Sequence, residues 1–210
     1  EPAQPPAALV GHTLAVYVLS FSPDSRWLAS GDEEGSVRLW SVAEPGNGML
    51  LGRHAGNVRG LAFVQGPGGP LLVSAAYDGL VRLWDYLNPE LPPTVLRGHD
   101  DAVNLLAAPP VDGEPTDLIV TAGYDHSLRI WRIADPFAEP DRIVTAGAPV
   151  ADVLVTPDGE RLLALLADDG AVQIRDAQSG ALLLRLAQAG VPASAFALSA
   201  DGRRIWTGDQ

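Results

Sequence analysis

A histidine near the start and a tryptophan near the end mark one unit that recurs along the chain. Gly11-His12 leads to Leu39-Trp40, Arg53-His54 to Leu83-Trp84-Asp85, and Gly98-His99 to Ile130-Trp131. Both marker residues return at intervals of about 42–47 residues, which fits a repeat of about 40–45 residues with short insertions. A weaker fourth unit runs from Thr156-Pro157-Asp158-Gly159 to Ile174-Arg175-Asp176, and a fifth opens at Ser199-Ala200-Asp201-Gly202. About four and a half copies are present, over residues 7–47, 48–90, 91–138, 139–180 and 181–210. Residues 1–6, rich in Pro and Ala, read as a linker.

Inside the first unit, Val16-Tyr17-Val18-Leu19-Ser20-Phe21 is a mostly apolar strand and Ser22-Pro23-Asp24-Ser25 a turn, after which Trp27-Leu28-Ala29-Ser30 starts a second strand. Glu33-Glu34-Gly35 turns the chain again, and Ser36-Val37-Arg38-Leu39-Trp40 alternates polar and apolar residues as a strand with one wetter face does. The same order returns in the third unit with Val103–Ala107, Leu118–Thr121 and Ser127–Trp131. Short, evenly spaced strands with Gly, Asp and Pro turns define an all-β repeat architecture.

This period, with these punctuating residues, resembles the WD-repeat β-propeller family over nearly the whole chain after residue 6. The resemblance implies four-stranded antiparallel blades, with an outer strand such as Thr94-Val95-Leu96 completing one blade before the unit builds three strands of the next. The ring is expected to be incomplete. An opening strand around Ala7-Ala8-Leu9-Val10 needs a neighbour equivalent to Val37–Trp40, so further blades or a second chain would have to finish the ring and cover its strand edges. The family also implies a His, Ser/Thr, Asp and Trp set hydrogen-bonded across each blade. His54, Ser74, Asp78 and Trp84 supply it in unit two, and His99, Thr121, Asp125 and Trp131 in unit three. Unit one offers His12, Ser30 and Trp40, with Glu34 where Asp is expected. In unit four Ala146, Ala164 and Arg175 replace His, Ser/Thr and Trp, leaving only Asp169, and unit five has Ala189 for the His, so these blades are expected to lack the polar network.

Charge narrows the partners. The formal net charge is −12, so the chain lacks the basic stripe that phosphate backbones and anionic lipids require, and neither nucleic acid nor membrane is expected. With 47% hydrophobic and 19% charged residues in a chain of 210, one sizeable core is within reach. All 14 basic residues are Arg, which reads as the coding bias of a GC-rich, bacterial genome. The absence of cysteine excludes disulfides and thiolate chemistry, and a cytoplasmic location is the default. No apolar run approaches the roughly 18 residues of a membrane span, and residues 1–6 have neither the charged start nor the apolar middle of a signal peptide.

A Ser, His and Asp within one unit invites a catalytic-triad reading. Its repetition, each time with a Trp at fixed spacing, favours a structural role instead. His126, in the turn after Asp125, has no second His or Cys nearby to form a metal set. The carboxylate pairs Glu33-Glu34, Asp100-Asp101 and Asp168-Asp169 fall beside turns without the ligand spacing of a calcium loop. Gln65-Gly66-Pro67-Gly68-Gly69-Pro70 has no following Lys or helix to make a phosphate cradle, so it is expected as an extended turn. Pro109–Pro115 holds the matching place in unit three, and both insertions are expected on one face. No catalytic, cofactor or metal residue is assigned.

In the family the turns after the His and before the Asp line the narrower face around a central channel, where peptides and proteins dock. Carried over, those positions are Tyr17, Asn57, Arg59 and Asn104 from the inner strand starts, with Glu33, Tyr77, Tyr124 and Asp168 from the turns. The tyrosines either anchor a partner or simply cap the blade edges. The expected function is a non-catalytic protein-interaction module of a larger multidomain protein, with activity in another domain. The alternatives are a module completed by a second copy and a propeller hydrolase or lyase.

Overall fold

The computed structural model describes residues 8–46, 48–109, 117–133, 142–187 and 193–208, in which eighteen strands and no helix occur. The first sheet joins β1 (Val16–Phe21), β2 (Trp27–Asp32), β3 (Ser36–Ser41) and β4 (Met49–Arg53) in chain order. The second joins β5 (Val58–Gly66), β6 (Gly69–Ala76), β7 (Val81–Trp84) and β8 (Thr94–Leu96). In the third stand β9 (Val103–Ala107), β10 (Leu118–Gly123), β11 (Ser127–Arg132) and β12 (Arg142–Thr145). The fourth has β13 (Val150–Val155), β14 (Arg161–Leu166), β15 (Val172–Asp176) and β16 (Leu182–Leu186), and a fifth, two-stranded sheet pairs β17 (Ala195–Leu198) with β18 (Ile205–Gly208). Every pairing is antiparallel.

Local chemistry sets the hairpins. In the β1–β2 turn Ser22 Oγ donates to Asp24 Oδ1 at 2.6 Å, and the same carboxylate oxygen accepts the Arg26 N–H. Thr156 with Asp158 and Ser199 with Asp201 repeat this hydroxyl-to-carboxylate clasp in units four and five. Side chains of this kind mimic a backbone turn, which is why the Ser/Thr-x-Asp signature punctuates the chain. Unit two lacks the clasp and turns differently from expectation. Gly66 pairs directly with Gly69, leaving Pro67-Gly68 as a tight two-residue tip on lengthened strands rather than an extended turn. Proline fixes the first bend, and Gly69 takes a φ of +134° that L side chains avoid. Of its counterpart in unit three, residues 110–116 lie outside the described residues, as does the 1–6 linker.

The fourth strand of each full sheet lies at the start of the next unit, as β4 and β8 precede His54 and His99, so β4 belongs to the sheet of unit one and to the chain of unit two. The core lies in slabs between sheets. Ala29, Val37 and Leu39 meet Leu61, Phe63 and Trp84 between the first and second; Val73 and Val81 meet Ile119 and Trp131 between the second and third. Val120, Leu128 and Ile130 meet Val153 and Ala164 next, and Leu163 and Leu165 meet Phe196 last. The inner strands β1, β5, β9, β13 and β17 surround a central cavity of about 800 Å³.

The ring is not closed. Leu19 and Phe21 on β1 are exposed at one end, and Leu182, Leu184 and Leu186 on β16 with Trp206 on β18 at the other. The expected outer strand before His12 is not formed by Leu9 and Val10. Val10 makes an isolated bridge, its N–H reaching Gly46 O at 3.4 Å in its own unit, because no described segment offers the neighbouring strand it would pair with.

Candidate interaction face and its hydrogen-bonded supports

Each of the first three sheets carries a chain of hydrogen bonds from its third strand to the turn at its edge. In unit two Trp84 Nε1 donates to Ser74 Oγ at 2.8 Å, Ser74 Oγ lies 2.7 Å from His54 Nε2, and His54 Nδ1 lies 2.9 Å from Asp78 Oδ1. Unit three repeats it through Trp131, Thr121, His99 and Asp125 at 2.9, 2.8 and 2.9 Å. With the indole filling one acceptor site on the hydroxyl, the hydroxyl donates to Nε2 and the ring donates from Nδ1 to the carboxylate. Burial holds the His54 and His99 pKa values below the ordinary histidine range, against the pull of Asp78 and Asp125. Burial pushes Asp78 upward, but His54 and Arg82 as donors outweigh it and hold the carboxyl well below the usual range. Asp125, also pushed up by burial, is brought to about 2 by the side-chain and backbone donors of Ser127 together with His99.

Unit one corrects the expectation for Glu34. Its carboxylate is Asp32, which takes His12 Nδ1 at 2.6 Å while Ser30 Oγ bridges His12 Nε2 and Trp40 Nε1 at 2.6 and 2.7 Å. Asp32 ends β2 at the place Gly123 holds in β10, and a Cβ at Gly123 would come within 2.7 Å of His99 Nδ1 and 2.9 Å of Asp125 Oδ1. A side chain there enters the same space from the strand rather than from the turn. Asp32 Oδ1 also accepts the Ser36 N–H, just as Asp78 and Asp125 accept those of Leu80 and Ser127. Glu34 instead pairs with Arg53 at 2.9 Å on the surface.

A second correction concerns unit four, which has a polar network of different make. Gln173 Nε2 donates to Ala146 O at 3.0 Å, Arg175 Nε donates to Gln173 Oε1 at 2.9 Å, and Arg175 Nη1 donates to Gly180 O at 3.0 Å. The amide thereby serves the backbone at the place where the other units have the histidine. Asp169 keeps its turn bond, accepting the Ala171 N–H at 3.0 Å, and pairs with Arg185. Ala189 of unit five lies outside the described residues. Sequence reasoning also missed Arg82 and Arg129, two residues before each Trp, which donate to Asp78 at 2.8 Å and Asp125 at 3.5 Å. The recurrence of Arg at that place in three units was the available signal.

These triads are sealed. Ser30, Ser74 and Thr121 are buried, and each accepts an indole N–H, so no substrate reaches the hydroxyl as a nucleophile. His126 is exposed and adopts a φ of 58° where units one and two have Gly35 and Gly79. Among the described residues no group of three or more His, Cys, Asp or Glu is arranged to hold a metal.

Above the supports, the structure brings five of the eight expected docking residues together. The guanidinium carbon of Arg59 lies over the Tyr17 ring at 4.8 Å and over the Tyr77 ring at 5.6 Å. Tyr77 donates to Asn104 Oδ1 at 3.3 Å and shares a 3.0 Å hydrogen bond with Tyr124, their rings 5.7 Å apart. Because the Tyr77 hydroxyl gives its proton to Asn104, Tyr124 donates to Tyr77, and this donation is the chief cause raising the Tyr124 phenol pKa. Sheet register explains the meeting: Tyr17, Arg59 and Asn104 each follow the strand-opening valine of β1, β5 and β9, on neighbouring inner strands. Asn57 is linked through its backbone, its carbonyl accepting the Tyr77 N–H at 3.0 Å. Glu33 and Asp168 are exposed and stand outside this contact chain.

The WD domain, G-beta repeat family model matches residues 3–41, 49–85 and 91–132. The chain belongs to the WD40 repeat family. Over 106 residues, half of this WD40 chain, it is 41% identical to the ribosome biogenesis protein BOP1 of Rattus norvegicus, covering 14% of that protein. It is 34% identical to periodic tryptophan protein 2 of Arabidopsis thaliana over 36% of the chain and 8% of the relative. To human apoptotic protease-activating factor 1 it is 36% identical over 39% of the chain and 7% of the relative. The chain thus spans a small fraction of these curated relatives. All three are eukaryotic, which lends no support to the bacterial origin expected from composition.

Proposed function

We propose that this chain is a non-catalytic protein-interaction module that docks a peptide or protein segment on the face built by Tyr17, Arg59, Tyr77, Asn104 and Tyr124. The observation that carries the proposal is their convergence from three sheets, with Tyr17 and Tyr124 about half exposed at 45% and 49%. Aromatic rings and a guanidinium offer desolvable area with a polar handle, the composition of binding hot spots. Any catalytic activity then belongs to other domains of a larger protein, located in the cytoplasm; the much greater length of the relatives supports the larger protein. The charge of −12 disfavours nucleic acid and membrane as partners.

The triple replacement Tyr77→Ala, Arg59→Ala and Tyr124→Ala is expected to abolish partner capture in a pull-down while leaving the urea midpoint near that of the parent. Retained capture overturns this face. The exposed apolar ends favour a second reading, in which another copy of the chain completes the ring. Light scattering on a size-exclusion column tests it: a discrete dimer supports completion by a second copy, and a monomer removes it.

A further inference from the structure

We propose that Arg59 is the anchor for a side-chain carboxylate of the docked peptide, an Asp or Glu flanked by basic residues. This rests on the docking role of the face and adds its chemistry. Arg59 stacks on two tyrosine rings, yet among the described residues its guanidinium has no carboxylate or other hydrogen-bond acceptor. Ring contact holds the planar group in place and leaves its edge, where the N–H donors lie, unspent. An edge of that shape matches two carboxylate oxygens at once.

The surroundings are short of acceptors in the same way. Asn104 spends its carbonyl oxygen on the Tyr77 hydroxyl, so its amide NH₂ remains as a donor with no acceptor among the described residues. The Asn57 side chain has no hydrogen bond among the described residues, so its amide adds a further free donor beside its own carbonyl oxygen. With Tyr77 donating to Asn104, Tyr124 donates to Tyr77, so the phenols face each other rather than compete for the arginine. Donors therefore gather at the centre of the face. The side chains of Glu33 and Asp168 are exposed and without partners among the described residues, on a chain of net charge −12. A ligand that is acidic throughout would be repelled by this chain, whereas one acid between basic neighbours meets both charge signs.

The test titrates the ¹⁵N-labelled chain with two blocked tripeptides, acetyl-Arg-Glu-Arg-amide and acetyl-Arg-Gln-Arg-amide, following the Arg59 Nε–H resonance and the Tyr124 and Asn104 backbone amides. The Glu peptide is expected to bind about tenfold more tightly than the Gln peptide, and Arg59→Gln to shrink that preference to about twofold or less. Arg59→Lys, which keeps charge but loses the planar fork, should also lose most of it. Equal movement of Tyr124 and Asn104 by both peptides leaves the docking face standing and overturns the carboxylate assignment. So does a Glu preference that survives Arg59→Gln, or the absence of any shift at Arg59. Two further probes separate other sources of the anion: acetyl-Arg-Gln-Arg with a free C-terminal carboxylate, and the phosphoserine tripeptide. Tighter binding of either than of the Glu peptide overturns the choice of a side-chain carboxylate.

Discussion

Sheets one and two place the same residues at the same register positions and treat them oppositely. Leu19 and Phe21 pair with Ser30 and Leu28 across β1–β2, as Leu61 and Phe63 pair with Ser74 and Leu72 across β5–β6. Leu61 and Phe63 are 8% and 6% exposed, whereas Leu19 and Phe21 are 60% and 62% exposed. Nothing within a blade distinguishes the two pairs. The first sheet covers the second, and no described segment covers the first. A blade supplies an apolar face, but only its neighbour turns that face into core, which is how stability accrues in repeat architectures.

The largest effect follows directly from this contrast. Phe63→Ala is expected to lower the unfolding free energy by about 3–5 kcal/mol, and Phe21→Ala by less than about 0.5 kcal/mol, in urea titrations of the 210-residue chain. A comparable loss at Phe21 would break the comparison and mean that β1 is covered in solution. Next comes the displaced carboxylate. Asp32→Ala strips acceptors from the His12 ring N–H and the Ser36 backbone N–H, for an expected loss of about 2–3 kcal/mol. Glu34→Ala removes only exposed contacts, the pair with Arg53 and a 3.5 Å hydrogen bond from Thr13 Oγ1, and should cost no more than about 1 kcal/mol.

A pH series sharpens the same picture. His54 and His99 have folded pKa values lowered from 6.5, so the unfolded chain takes up their protons first as pH falls. Their contribution is complete above about pH 6.5 and declines below it, with a slope no steeper than about 1.4 kcal/mol per pH unit for each group. Asp78 and Asp125 have folded pKa values lowered from 3.8, so their contribution is full above that pH and is lost as pH falls towards 2. The urea midpoint should fall in two stages. A midpoint that stays flat between pH 6.5 and 5 would show that the buried histidines do not carry this linkage. The smallest effect is a gain: His126→Gly relieves a left-handed backbone conformation and should add about 1 kcal/mol to the unfolding free energy.

The strands were legible because alternation and turn chemistry are local. Val16–Phe21 and Val103–Ala107 have the bounds their apolar runs implied. The support set was legible wherever it followed a constant spacing, and failed at Glu34 because counting along the chain does not reveal that a strand-end side chain enters the same space two residues earlier. Arg175 counts as a loss in the sequence because it stands in place of Trp, and Gln173 goes unmarked altogether, since substitutes of different shape leave no recurring mark. The face around Arg59 was harder still. Its members were nameable one by one, but the stacking of Arg59 on Tyr17 and the bond from Tyr77 to Asn104 cross between sheets, and sequence spacing does not encode that approach.

Because β4 is hydrogen-bonded to β3 while being covalently continuous with β5, the loop between β3 and β4 is not a seam. A protease cutting there would sever one peptide bond without freeing a blade: the downstream piece would still hold its own strand inside the upstream sheet. Two separately expressed pieces divided at that loop would have a ready means of finding each other, with β4 acting as a tongue and the edge of β3 as its groove.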